Sequence, residues 1–371
     1  MTRPLRVLFV FTARKRELLA GAAAGMAPDT LLFGYNHLDG TGIAPDVYEP
    51  EYPPAGQLAA RQAGRLGPDL LQLRTLRLFP RYDAVFLTGG WPLLLAARAI
   101  PRRRRPRLIW LNMTLTNLLR RERPLSRLLE AGLRGADRVV CVARHQQAYL
   151  QRRLGWEAAR TPLALSGTDA AFYAPERARR DTPEAAPVDV LAPGRDAGRD
   201  YATLLSAVHG GPRVRLVCSP RNVAGLTLPP NAAVRYDLPA TALRDAYGAA
   251  GAVAIPTHGD ASTLGSDCSG TLVLLDALAM GRPAVISRRA SVADYVTPEA
   301  HALTVAPGQP APLRAALDSL RDDPAGAARL AAAGRERVLE ALTTRHFAAR
   351  LAAVLHESVS TPPRSGQANP G

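Results

Sequence analysis

Residues 265–287, GSDCSGTLVLLDALAMGRPAVIS, constrain the fold more than any other part of this chain. They read as a polar, Gly-containing turn, then a helix, then a buried strand. Leu272, Val273, Leu275, Leu278 and Ala279 recur at spacings that favour one helical face. Gly281 supplies a C-cap, Pro283 stops the helix, and residues 284–286 begin a strand. Such a turn aims backbone N–H groups and the positive helix end above the strands, where a diphosphate would fit. Asp276 falls about two turns into the helix on its more polar side. A carboxylate there can accept a sugar hydroxyl or stand solvated.

Strand-like and helix-like pieces alternate along the whole chain. A first series of strands is expected at 5–11, 84–88, 108–111 and 138–142, and a second at 188–191, 214–218, 252–255 and 284–286. Helices such as 201–208 and 243–250 lie between them. This alternation predicts an α/β protein of two doubly wound, Rossmann-like parallel-sheet domains facing a shared cleft. The expected division is a first domain over 1–175, a charged, Pro-containing linker over 176–187, and a second domain over 188–342. A final helix over 343–358 and a disordered tail over 359–371 follow.

A length of 371 residues suits about two domains, each with its own core. No secretory signal and no apolar run of roughly 20 residues is visible, so a cytoplasmic protein is expected. Cys141, Cys218 and Cys268 are far apart and odd in number, and no histidine lies at ligand spacing from them. A disulfide framework, a zinc site or any other metal site is therefore not expected. The net charge of +15 is uneven: residues 1–175 carry 26 Arg and Lys against 13 Asp and Glu, and residues 176–371 carry 21 against 19. Lys15 is the one lysine. A GC-rich coding bias accounts for arginine in place of lysine but not for the asymmetry, which points to an anionic partner for the first half.

Two places in that half could meet one. Residues 102–107 hold Arg102, Arg103, Arg104, Arg105 and Arg107, and residues 118–134 set Leu125, Leu128, Leu129 and Leu133 at helical spacing beside five arginines. A basic amphipathic helix can lie on an anionic membrane surface, or its leucines can pack on the sheet while its arginines face water. Nucleic acid is not expected, because aromatics for base stacking are few. In the second half, residues 192–205, APGRDAGRDYATLL, read as a strand end, a Gly-rich turn at Gly194 and a helix starting near Asp200. Arg195 and Arg199 can both reach an anion at that turn, or pair with Asp196 or Asp200 as surface residues.

Residues 265–287 resemble the donor-site signature of retaining GT-B glycosyltransferases of glycosyltransferase family 4. That signature is an acid, seven residues, a second acid and then Ala-Met-Ala-x-Gly-x-Pro-Val. This chain has DALAMGRPAV, with Asp276 at the second acid, while Cys268 replaces the first. Residues 192–205 are similar to the family's Gly-Arg stretch with its second basic residue. Residues 139–143 with Ser166, Gly167, Thr168, Asp169 and Phe172 are imperfect copies of another family passage, where Gly167 allows a turn and Asp169 bonds local backbone.

The resemblance implies a GT-B fold and metal-independent transfer, with retention, from a nucleotide-diphosphate sugar acting as co-substrate; no other cofactor is implied. Arg195 and Arg199 would stabilise the diphosphate, and Asp276 would hold a ribose or sugar hydroxyl. Gly194, Asp267, Ser269, Gly270, Thr271 and Leu272 would shape the donor loop. Asn112 stands where many family members place a histidine, and would contact sugar or acceptor or be a polar strand end. The leaving phosphate itself can take the acceptor's proton. The acceptor is a glycan, a lipid or a small molecule, and location at the inner membrane face is compatible with the basic half. The alternative is an inactive GT-B relative serving as a basic membrane- or partner-binding scaffold; a sugar-nucleotide epimerase lacks a carboxylate pair.

Overall fold

The computed structural model describes residues 3–13, 15–49, 70 and 72–361. In the first domain β1 (Leu5–Val10), β2 (Ile43–Tyr48), β3 (Ala84–Leu87), β4 (Arg107–Asn112) and β5 (Arg138–Cys141) form a parallel sheet. Its order is β2-β1-β3-β4-β5. The helices are α1 (Arg16–Ala23), α2 (Trp91–Ala97), α3 (Leu115–Arg120), α4 (Pro124–Leu133) and α5 (Arg144–Leu154). Successive strand residues bury into opposite layers. Val7 and Phe9 join one core, while Leu8 and Val10 join the other, with α2, α3, α4 and α5. Burial on both faces explains why these strands are nearly continuous apolar runs.

The second domain has β6 (Val188–Pro193), β7 (Val214–Cys218), β8 (Ala232–Tyr236), β9 (Ala250–Ile255), β10 (Ala284–Ser287) and β11 (Leu303–Val305). All are parallel, in the order β11-β10-β9-β6-β7-β8. Its helices are α6 (Tyr201–Val208), α7 (Pro220–Val223), α8 (Ala240–Ala249), α9 (Thr271–Ala279), α10 (Pro310–Asp322) and α11 (Pro324–Ala341). Strand order reverses between β6 and β9, and between β1 and β3 in the first sheet. Such switch points leave a crevice at the carboxyl ends of the strands, where ligands bind.

The last helix, α12 (Thr344–Ser360), returns to the first domain. A capping box between Thr343 and His346 starts it. Phe347, Ala348, Leu351 and Leu355 then cover the face of the first sheet that carries Phe9, Ile109 and Val140. Val359 and Ser360, expected in the tail, are helical here; residues 362–371 lie outside the described residues. The helix enters beside a bridge between Thr168 and Thr343, where Thr168 N–H donates to Leu342 and Thr344 N–H donates to Thr168.

Residues 118–134 divide between two helices. Pro124 forces Arg123 into an extended conformation, so α3 stops at Arg120 and α4 starts afresh. Leu129 and Leu133 pack into the core, but Leu125 and Leu128 remain 45% and 48% exposed. Arg120 and Arg121 do not face water alone: they donate to the carbonyls of Ala261 and Thr263 in the second domain. No helix among the described residues is long and apolar enough to cross a membrane.

Tyr295 ties the domains together from a fully buried position. Its hydroxyl donates to Val142 O at 2.6 Å and accepts from Ser166 N–H at 3.0 Å. Tyr295→Phe leaves both groups unpaired and is expected to cost about 1–3 kcal/mol in denaturant unfolding. An unchanged midpoint would mean that other groups take over both bonds.

Candidate active site

β6 ends at Pro193, and Gly194 turns the chain with φ +150°. Glycine is required there, because a Cβ would stand 2.3 Å from Arg199 Nε. Asp196 fastens the turn by accepting from Gly198 N–H at 2.7 Å and Ser266 N–H at 3.1 Å. Asp200 caps α6, accepting from Thr203 N–H at 3.1 Å. Between these two acids, Arg199 is only 6% exposed, with its backbone bridged to Thr257. Its Nε and Nη1 have no hydrogen-bond partner among the described residues. A guanidinium with two of its three nitrogens buried and unpaired is costly, and an anion is the partner that would relieve that cost.

Its neighbours favour the same ligand. Gly270 starts α9 with φ +92°, and no side chain caps the helix. A Cβ on Gly270 would meet Ile255 Cγ2 at 2.8 Å, Thr257 Cγ2 at 3.2 Å and Arg199 Nη1 at 3.4 Å. The open positive end of α9 therefore abuts both the end of β9 and the free guanidinium. Around it, the buried hydroxyls of Thr257, Ser269 and Thr271 also lack partners. Leu272, next in the first turn, adds a backbone N–H. One cation, three hydroxyls and a helix end bring donors together in the arrangement that can receive an oxyanion. At its far end α9 closes in a Schellman motif: Gly281 N–H donates to Leu278 O and Arg282 N–H to Ala277 O, both at 2.9 Å.

The other expected site residues divide. Arg195 is exposed and paired with Asp237, not with Asp196 or Asp200. Asp169 bonds local backbone, accepting from Phe172 N–H at 2.9 Å. Asn112 is fully buried: its Nδ2 donates to Thr116 at 3.0 Å and its Oδ1 accepts from Leu115 N–H at 3.1 Å. Both bonds lie within the turn from β4 into α3, the arrangement of a polar strand end, which is one of the two readings given for this residue.

Asp276 is buried against the crossing of the chain between domains. It accepts hydrogen bonds from the hydroxyls of Thr168 and Tyr173. Burial pushes its carboxyl up to about 7, against the pull of those hydroxyls. Between an ordinary 3.8 and about 7, the unfolded chain releases a proton that the native state keeps. Stability therefore falls as pH rises through that window. Asp276→Asn is expected to flatten the fall, leaving the variant more stable than wild type near pH 8 and little changed near pH 4. Parallel pH profiles for the two proteins would contradict this.

One constellation was not legible from spacing. His145, at the start of α5, lies with Nε2 2.9 Å from Asp267 Oδ2, and Gln146 Nε2 donates to Asp267 at 3.0 Å and to Cys268 Sγ at 3.3 Å. Where family 4 has its first acid this chain has Cys268, yet the neighbouring Asp267 puts a carboxylate beside it. Sequence spacing gave no sign of this meeting, because 122 residues separate His145 from Asp267. Further bonds close this side of the cleft: Asn117 to Gly265 O, Ser266 to Met113 O, and Arg144 to Asp294.

Residues 22–172 match the family model Glycosyltransferase Family 4, and residues 204–353 match Glycosyl transferase-like. No curated protein matches by sequence. Among solved structures, HepE of Anabaena in complex with UDP-glucose is similar at 15% identity and TM-score 0.68, covering 95% of this chain and 100% of that one. Sucrose-phosphate synthase from Thermosynechococcus elongatus is similar at 18% identity and TM-score 0.68, covering 95% and 98%. Trehalose 6-phosphate synthase from Burkholderia multivorans is similar at 12% identity and TM-score 0.66, covering 96% and 99%. With one family model on each domain and this fold throughout, the chain is a GT-B protein resembling glycosyltransferase family 4.

Proposed function

We propose that the protein transfers a glycosyl group from a nucleotide-diphosphate sugar to an acceptor, with retention of configuration and without a metal ion. The observation that carries this reading is the buried, unpaired Arg199 at the open N-terminus of α9. As the bond from the anomeric carbon to the diphosphate oxygen breaks, negative charge grows on the leaving group. Arg199, the hydroxyls of Ser269, Thr271 and Thr257, and the N–H groups after Gly270 receive that charge from fixed positions. They supply the positive potential that a divalent ion supplies elsewhere. Arg195 joins them by exchanging Asp237 for phosphate.

The acceptor oxygen forms its bond on the face the diphosphate leaves, and its proton passes to the departing phosphate oxygen. Asp276 completes the proposal as the contact for a ribose or sugar hydroxyl, which would take the place of Thr168 on its carboxylate. HepE of Anabaena, of the same fold, holds UDP-glucose, which supports a nucleotide-sugar donor. A glycan, lipid or small molecule would enter over the first domain. The exposed pair Leu125 and Leu128 beside Arg123 and Arg127 supports docking of that domain on an anionic membrane.

The test is incubation with UDP-, GDP-, ADP- and dTDP-linked sugars and an acceptor panel in the presence of EDTA. Nucleotide release and the anomeric proton coupling of the product are followed by NMR. One donor class should react with EDTA present, and the product should keep the donor's configuration. Inverted product would remove retention, and loss of turnover in EDTA would remove metal independence. No release from any donor by folded protein would favour the basic scaffold.

A further inference from the structure

The cluster joining the two domains has a composition unlike the rest of the cleft. Ligand atoms of His145, Asp267 and Cys268 all lie within 4.8 Å of one another. His145 comes from α5 of the first domain, whereas Asp267 and Cys268 come from the loop ahead of α9 in the second. Asp267 is almost fully buried, and its Oδ1 has no hydrogen-bond partner among the described residues. A buried carboxylate oxygen without a donor is as exceptional as the unpaired guanidinium nearby. Cys268 packs inside the first domain's apolar cluster, so the loop is held in place on both sides.

We infer that His145, Asp267 and Cys268 form a binding site for a borderline-soft divalent cation of the Zn2+ class, shared between the two domains. Imidazole, carboxylate and thiolate are the ligand set such a cation prefers; Mg2+ and Ca2+ take oxygen. The balance is simple. The His145 tautomer with its proton on Nδ1 offers the Nε2 lone pair to the cation, and the Cys268 thiol releases one proton to solvent. Asp267 and the thiolate then cancel the two charges of the cation, which suits a buried site. Gln146, which already donates to both Asp267 and Cys268, orients them as an outer-shell partner. With three protein ligands, solvent would complete a four-coordinate centre.

Because the ligands come from both domains, the bound cation cross-links them and holds the cleft shut. This site shares the loop ahead of α9 with the pocket at Arg199, but its binding can be read without any assay of transfer. The probe is Co2+, titrated into the full-length, chelator-treated protein. One equivalent should give the thiolate-to-cobalt charge-transfer band and the intense visible bands of a four-coordinate centre, and Zn2+ should abolish both. Cys268→Ser should remove the charge-transfer band, His145→Ala should weaken binding by at least about tenfold, and Cys218→Ser should change nothing. Absence of the band in wild type, or its persistence in Cys268→Ser, overturns the assignment. Should Cys268→Ser not fold, X-ray absorption at the zinc edge of Zn2+-loaded wild type takes its place: one sulfur scatterer at about 2.3 Å is expected, and a shell of nitrogen and oxygen alone also overturns the assignment.

Discussion

Arg199→Ala is expected to lower kcat/KM by about 10- to 1,000-fold, the scale of losing a charged hydrogen bond to a leaving group, without lowering the stability of the nucleotide-free protein. The two halves of this result have one cause. In the free protein the guanidinium is buried with Nε and Nη1 unpaired, so it contributes a desolvation cost and little attraction. Removing it takes away that cost and leaves a polar space that water can fill, lined by Thr257, Ser269 and Thr271. Nucleoside diphosphate should raise the melting temperature of wild type well beyond that of the variant. A structural arginine would behave in the opposite way, with stability lost and kinetics little changed. Steady-state kinetics and thermal unfolding, each with and without nucleotide, separate the two.

Gly167→Ala is expected to destabilise the fold by about 3 kcal/mol or more, beyond the usual range for a small overpacking change. A Cβ at 167 would lie 2.1 Å from Thr343 O, 2.3 Å from Thr343 C and 2.7 Å from Thr344 N. All three are backbone atoms at the start of α12, pinned by the bridge between Thr168 and Thr343. No side chain can turn aside to make room, so the two segments must separate. That separation loosens α12, and with it the cover over Phe9, Ile109 and Val140. Gly155→Ala is the control: φ is +65°, but nothing lies within 4 Å, so only the backbone cost of about 1–2 kcal/mol applies. Denaturant midpoints of the two variants should differ accordingly, and equal midpoints would remove the clash as the cause.

Central strands were readable because both of their faces are buried. β1, β3, β4, β6, β9 and β10 are short apolar runs and stand out at once. β2, β8 and β11 escaped notice, and each lies at a sheet edge. β2 carries Pro45 and Asp46, β8 exposes Arg235 and Tyr236, and β11 is three residues long. Edge strands lack the apolar signal and often carry charge or proline. The site divides on a similar line. The turn at Gly194, the capped α6 and the open start of α9 are local, so Arg199, Ser269, Gly270 and Thr271 could be read from sequence. The pairing of Arg195 with Asp237, the enclosure of Asp276 by Thr168 and Tyr173, and the meeting of His145 with Asp267 are tertiary. No local pattern marks them. Sequence left two readings of Asn112, because a strand end beside a cleft looks alike whether its side chain faces a ligand or bonds the next turn.

Calorimetric titration of a nucleoside diphosphate against its own monophosphate and nucleoside tests the oxyanion site most directly. For the correct base among UDP, GDP, ADP and dTDP, the diphosphate should bind at least about tenfold more tightly than the monophosphate, a step set by charged hydrogen bonds. That step should vanish in Arg199→Ala while nucleoside binding survives. Equal affinity for diphosphate and monophosphate, or an undiminished step in Arg199→Ala, would contradict a diphosphate seated on Arg199 and the start of α9.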